Sequence, residues 1–161
     1  MHLTSSTGSA FTLKIEAYES SAPVEDRYDA NWLVISIEVK APDGDWRGRG
    51  PYLLQWEAEH LATWLEGMSR HAPFPSNLAF TDELSFVEPN LRFEILGRPG
   101  DSPTLGIHFG IEFRPPWADK YHGESYIDLS LSDDDLLNAA RTLRAELKEF
   151  PLRASERNPK R

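Results

Sequence analysis

Histidine is the residue type in this chain best suited to metal binding or proton transfer. The five histidines stand at positions 2, 60, 71, 108 and 122. No two of them have the i, i+4 spacing that places a zinc-binding pair on one face of a helix, and the sequence contains no cysteine. We therefore expect no metal and no bound cofactor. The absence of cysteine also excludes disulfides and thiol catalysis.

His108 is the candidate for a general base. It lies on the polar side of a predicted strand, where Glu112 or a carboxylate from a neighbouring strand could orient its ring for proton transfer. A residue at this position could equally form a surface or cross-strand hydrogen bond. We favour this second, structural interpretation.

Two short segments resemble ligand-binding motifs without meeting their requirements. Asp133, Asp134 and Asp135 are consecutive, so their carboxylates would point in different directions, whereas a calcium loop needs spaced ligands. They fit the first turn of a helix, where the helix dipole favours negative charge. The segment Gly48-Arg49-Gly50 is too short for a phosphate loop and is not followed by Lys-Ser/Thr. With no catalytic set, the sequence predicts a protein that is not an enzyme.

Four residues are candidates for binding a partner protein: Glu57, Glu59, Glu66 and Trp117. Trp117 directly follows Pro115-Pro116 at the end of a predicted strand, where its ring would lie at the surface and could anchor an interface. The three glutamates lie on the polar side of a predicted helix and could face a basic partner. An ordinary solvated helix face explains the same glutamates, so both interpretations stay open.

Alternation of apolar and polar residues indicates the strands that would carry these side chains. Seven are predicted, at residues 11–17, 31–40, 46 onward, 84–88, 91–96, 104–114 and 125–131. The strand at 104–114 is the longest, and Pro115-Pro116 ends it by removing two amide donors. Turn residues between the second and third strands predict a hairpin.

Two amphipathic helices are predicted from apolar residues spaced three and four apart. The first covers about 55–68, and the second begins after Ser132 as N-cap and stops before Pro151. The predicted fold is a single α+β domain over 1–152: a mainly antiparallel, twisted sheet of about six to seven strands with both helices packed on it, in the order β-β-β-α-β-β-β-β-α. Residues 153–161 are expected to form a basic, flexible tail.

The charge of the chain favours some partners and disfavours others. The formal net charge is -9, but the tail carries four basic residues against one acidic residue, so residues 1–152 carry -12. Such a surface repels phosphate backbones and attracts a basic protein, so we expect no direct nucleic-acid ligand. No run of about 18 apolar residues and no signal-peptide pattern occurs, so we expect a cytoplasmic protein that does not span a membrane. The sequence does not indicate an oligomeric state.

Several segments together resemble the WapI family of bacterial immunity proteins. They are Asp-Ala-Asn-Trp-Leu at 29–33, the helix opened by Leu-Leu-Gln-Trp-Glu at 53–57, Phe-Val-Glu-Pro-Asn-Leu-Arg-Phe-Glu at 86–94, Phe-Arg-Pro-Pro-Trp at 113–117, and the strand and capped helix of 126–153. The resemblance implies a non-enzymatic protein that neutralises a cognate toxin domain by stoichiometric binding. In the family prototype the toxin is an RNA-cleaving domain, which agrees with a basic partner.

Two other functions are compatible with the same sequence. One is a small-ligand or enzymatic pocket formed where the sheet curves around Trp32, His108 and Trp117. The other is a structural subunit that self-associates through a sheet edge. The product of the adjacent gene would discriminate these from an immunity role.

Overall fold

The strands of this α+β protein are divided between two antiparallel sheets. The computed structural model describes residues 1–21, 25–69, 81–97, 102–119 and 123–153. Within these ranges, eight strands form two sheets of four, and three α-helices accompany them. The predicted α+β class with antiparallel pairing is confirmed, but the strands do not form one continuous sheet. His71, His122 and the tail beyond residue 153 lie outside the described residues.

The first sheet is built from the N-terminal third of the chain. Its strands are neighbours in sequence order: β1 (His2–Thr4), β2 (Ala10–Tyr18), β3 (Trp32–Ala41) and β4 (Gly44–Leu54). Alternate residues of β2 and β3, such as Leu13, Ile35 and Ile37, are fully buried, as expected for strands with one face on a core. β3 and β4 form the predicted hairpin, and its turn places Gly44 at φ +137°, a conformation that only glycine adopts without strain.

The second sheet packs its inner face against the first. Its strands are β5 (Glu83–Ser85), β6 (Leu91–Gly97), β7 (Thr104–Phe109) and β8 (Ser125–Ser130), again in sequence order. The ring of Phe11 in β2 lies 5.9 Å from that of Phe93 and 6.0 Å from that of Phe109. Trp46 of β4 also meets Phe109, with ring centroids 5.0 Å apart. Both sheets therefore contribute to one continuous apolar core.

The strand predicted over 104–114 ends at Phe109 in the structure, so the prediction is wrong for residues 110–114. Phe109 pairs with Leu91 on one side and with Ser125 on the other, and these are the terminal residues of β6 and β8. Neither β6 nor β8 pairs with the chain beyond Phe109, and Gly110 passes directly against the carbonyl oxygen of Pro89. A 3-10 turn, Ile111–Phe113, follows instead. It brings Phe113 into the core and leaves Ile111 55% exposed at φ 47°.

Both predicted amphipathic helices are confirmed. They are α2 (Gln55–Met68) and α3 (Asp133–Leu147). α3 begins with a capping box in which Ser132 accepts from the amide of Asp135, whose carboxylate accepts from the amide of Ser132. α2 and α3 pack against each other, and α3 also contacts β1 and β2. Among the described residues, no helix combines the length and apolar character needed to cross a membrane.

Two short elements were not predicted because neither is long enough to show a period. One is β1, with three residues, and the other is α1 (Arg27–Asn31), which lies between the first two predicted strands and includes the first residue of the second. Asp26 caps α1 by accepting from the amides of Tyr28 and Asp29. Asn31, the last residue of α1, is buried, and its Oδ1 accepts from the amide of Arg153 at 2.9 Å. α1 therefore anchors the segment that follows α3.

Candidate functional site

The outer face of the second sheet carries a connected group of ionisable side chains. Strand register places Arg92 of β6 opposite His108 of β7, and His108 opposite Tyr126 of β8. Glu94 lies on the same face of β6, two residues along. Glu124, just before β8, completes the group. We call these five residues the Arg92–His108 cluster.

His108 is held at both ring nitrogens. Nε2 lies 2.9 Å from Oε2 of Glu94, and Nδ1 lies 3.0 Å from Nη2 of Arg92 and 3.2 Å from Oε2 of Glu124. Because a guanidinium has only donors, a neutral His108 accepts at Nδ1 and donates from Nε2 to Glu94. The ring stacks on Tyr126 and its side chain is only 12% exposed. Neither nitrogen is free to take a proton from a substrate, which supports the structural interpretation.

Arg92 connects His108 to the surrounding carboxylates. Its guanidinium lies 3.1 Å from both Glu83 and Glu124, and 3.5 Å from Glu94. One guanidinium therefore faces three carboxylates, which leaves this part of the sheet negative. Glu112, the other residue considered as a partner of His108, instead accepts from Nδ2 of Asn90 at 2.7 Å.

The three glutamates of α2 have different surroundings. Glu59 and Glu66 both bind Arg144 of α3, at 2.7 Å and 2.9 Å respectively. Hydrogen bonding to Glu66 raises the pKa of the Arg144 guanidinium further above its ordinary value. Glu57 is only 8% exposed, and its two oxygens accept from the amides of Leu54 at 3.0 Å and Val87 at 2.7 Å. The structure therefore separates Glu57 from the other two, and partner binding by any of them stays a prediction.

Trp117 lies at the surface on a rigid support. Its ring is 51% exposed and packs edge-to-face on Trp46, with centroids 5.8 Å apart and an interplanar angle of 86°. Trp46 is buried, and its Nε1 donates to the carbonyl oxygen of Phe113 at 2.9 Å. The ring of Trp117 also covers Gly44, where a Cβ would lie 2.8 Å from Cη2. The expected surface position is confirmed, and the expected role in binding stays a prediction.

Trp117 lines an open cleft between the β3–β4 turn and the start of β8. The cleft has a volume of about 560 Å³, and its lining includes Asp43, Glu124, Tyr126 and Asp128. We call it the aromatic cleft. Tyr126 and Asp128 belong to the polar face of a correctly predicted strand, so the period showed that they point outward. Nothing in the sequence indicated that they would lie beside Trp117.

The described residues offer no evident metal centre. Within these ranges, no group of three or more His, Asp or Glu side chains is arranged to hold a metal ion. A pocket was also considered around Trp32, His108 and Trp117. In the described residues, Trp117 lines the aromatic cleft and His108 lines a smaller hollow of about 190 Å³ beside it. Trp32 lines neither hollow.

Comparison with known proteins supplies the family. The model of the immunity protein WapI-like family matches residues 2–151, nearly the whole chain. Comparison with curated proteins and with solved structures gave no match. The match includes both sheets, all three helices, the Arg92–His108 cluster and the aromatic cleft. The chain therefore belongs to the WapI-like family of immunity proteins.

Proposed function

We propose that this protein protects the cell that makes it by binding a cognate toxin domain and blocking it stoichiometrically, without turnover. The observation that carries the proposal is the family match over residues 2–151. A binding protein of this kind needs a stable, complementary surface and no catalytic group of its own.

The charge of the protein supports a basic partner. The chain carries a formal net charge of -9, and the exposed face around Arg92 has more carboxylates than cations. A toxin domain that cleaves RNA must bind phosphates and therefore presents lysine and arginine side chains. We propose an RNA-cleaving domain as the partner, because its basic surface would be attracted to this protein and neutralised by it.

The other two functions lack a specific observation in their favour. An enzymatic role for His108 would need a free ring nitrogen, and both nitrogens already contact protein side chains. Self-association through a sheet edge would have to use strands such as β4, which is at the edge of the first sheet and carries Arg47, Arg49 and Pro51. Charged side chains and proline are the usual protection of an edge against pairing.

Co-expression with a toxin domain encoded by an adjacent gene tests the proposal. Cells that make both proteins should survive, and cells that make the toxin domain alone should die. The purified pair should elute as one complex from gel filtration, and toxin activity should fall linearly to zero at a fixed molar ratio. Full protection by far less than one equivalent of this protein would contradict the proposal, because that result requires turnover.

The predicted contact through α2 is tested with substitutions that keep the size of each side chain. Glu59→Gln and Glu66→Gln remove two surface charges without creating repulsion beside Arg144. Weaker protection by the double variant would place α2 in the interface. Glu57 is left unchanged. Its substitution would remove buried hydrogen bonds, and a loss of protection could then come from lower stability instead of weaker binding.

A further inference from the structure

We propose that the aromatic cleft is the docking site for a basic segment of the toxin domain. Lysine or arginine side chains of that segment lie against the rings of Trp117 and Tyr126, and their charges face Asp43 and Asp128. This inference rests on the proposed function and assigns it to one surface of the protein. It also differs from the contact through α2, which lies on another element.

The charges of the cleft favour a cation. Its described lining contains the carboxylates of Asp43, Glu124 and Asp128 and neither lysine nor arginine. Glu124 is already paired with Arg92. Asp43 and Asp128 make no ion pair or side-chain hydrogen bond with any residue in the described ranges. An incoming ammonium or guanidinium group would give each of them its first ionic partner, so no existing ion pair has to be broken.

The aromatic rings of the cleft supply apolar area and affinity for cations. Trp117 and Tyr126 are 51% and 53% exposed, so each still offers about half of its surface to a partner. Tryptophan, tyrosine and arginine are the residue types that most often dominate binding energy at interfaces. A cation over the face of an indole or phenol ring is further stabilised by the ring quadrupole.

Both rings are already fixed before a partner arrives. Trp117 rests edge-to-face on the buried Trp46. Tyr126 stacks on His108 at a centroid distance of 5.3 Å, and His108 is itself held by Glu94 and Arg92. Side chains that are rigid in the free protein lose little conformational entropy on binding. The Arg92–His108 cluster therefore has a positioning role: it orients one wall of the cleft.

The size of the cleft suits a protein segment. At about 560 Å³ it lies within the usual range of binding cavities, and it is open along one side. A loop or a helix turn can place two or three side chains in such a cleft while the rest of the partner covers the rim. The carboxylates of Glu83 and Glu94, which are not in the described lining, extend the negative surface beyond the cleft.

The test measures binding of the neighbouring toxin domain, purified from its complex under denaturing conditions and refolded. Trp117→Ala is compared with Tyr28→Ala, because Tyr28 is also 51% exposed and packs edge-to-face on a tryptophan, Trp56, away from the cleft. A second comparison uses two double variants in which surface carboxylates are replaced by amides of the same size. Asp43→Asn/Asp128→Asn removes the two unpaired carboxylates, and Glu19→Gln/Glu149→Gln removes two exposed carboxylates that do not line the cleft. Equal denaturation midpoints are checked first.

Titration calorimetry and stopped-flow association supply the readouts. We expect Trp117→Ala to raise Kd about tenfold or more and Tyr28→Ala to change it less than about threefold. We expect the Asp43/Asp128 double variant to slow association about fivefold at low salt and to flatten its salt dependence, with little effect from the control pair.

A failure of the cleft assignment can be distinguished from a failure of the proposed function. If the wild-type protein binds the toxin domain and both cleft variants bind equally well, the cleft is not the docking site and the immunity function stands. A loss in Tyr28→Ala as large as that in Trp117→Ala also overturns the assignment to the cleft. If the wild-type protein does not bind the toxin domain at all, the proposed function fails and the cleft assignment fails with it.

Discussion

Substitution of Glu57 tests a role that the sequence and the structure assign differently. The sequence indicates a surface contact, whereas the structure shows a buried carboxylate that bridges two backbone amides. One carboxylate oxygen accepts from the amide of Leu54 at the start of α2, and the other accepts from the amide of Val87 after β5. The carboxylate thus joins the first turn of a helix to the second sheet. Glu57→Gln keeps the shape of the side chain but replaces one acceptor oxygen by an amide donor.

The expected loss follows from these two contacts. One of the two backbone amides would face the new NH₂ group and lose a hydrogen bond to a charged group, which costs about 1.5–3 kcal/mol. Removing the negative charge from the first turn of α2 costs a further ~0.3–1 kcal/mol through the helix dipole. Together these predict a destabilisation of about 2–4 kcal/mol, or about 1–2 M in the urea midpoint for an m value near 2 kcal/mol/M.

Glu59→Gln is the matched control, since it makes the same chemical change two residues further along the same helix. Its carboxylate is 43% exposed and binds Arg144 at the surface, so the expected loss is under about 1 kcal/mol. Urea denaturation followed by tryptophan fluorescence measures both variants. A midpoint for Glu57→Gln no lower than that for Glu59→Gln would show that the two hydrogen bonds of Glu57 do not contribute to stability as inferred.

Three further predictions concern stability. Leu143→Ala, at a fully buried position of α3, should lower the free energy of unfolding by about 2–5 kcal/mol, and an unchanged urea midpoint would place the apolar stripe on the wrong face. Gly44→Ala should lower the free energy of unfolding by about 1–3 kcal/mol and shift the fluorescence of Trp117, because φ is +137° and the new Cβ would meet that ring at 2.8 Å. The control is Gly8→Ala, at φ +95° with nothing within 4 Å of the new Cβ, which should add backbone strain without the spectral change. Burial raises the pKa of Tyr52 above the ordinary value of 10.0. The contribution of the neutral phenol to stability is therefore complete below pH 10 and is lost as pH rises through the folded pKa. Tyr52→Phe should reduce the loss of stability measured above pH 10, and an unaltered pH profile would contradict this.

Local patterns in the sequence determined the elements and their buried faces. Alternation identified β2, β3 and β8, and the helical period identified α2 together with the faces that Leu61 and Leu143 bury. Ser132 marked the start of α3, because a hydroxyl and a carboxylate three residues apart can satisfy the first amides of a helix without help from elsewhere. Each of these features depends on residues close in sequence, so each could be inferred without the fold.

Neighbours in space were decided only by the tertiary structure. β7 ends at Phe109 because the strands on both sides end there, although the alternation of its own residues continues to 113. Glu57 and Glu59 look alike in sequence, yet one meets two buried amides and the other meets Arg144 at the surface. The aromatic cleft joins Asp43 to Tyr126 across more than 80 residues. An outward-facing polar residue carries no local signal of its partner, because packing of the apolar faces alone determines which outer residues come together.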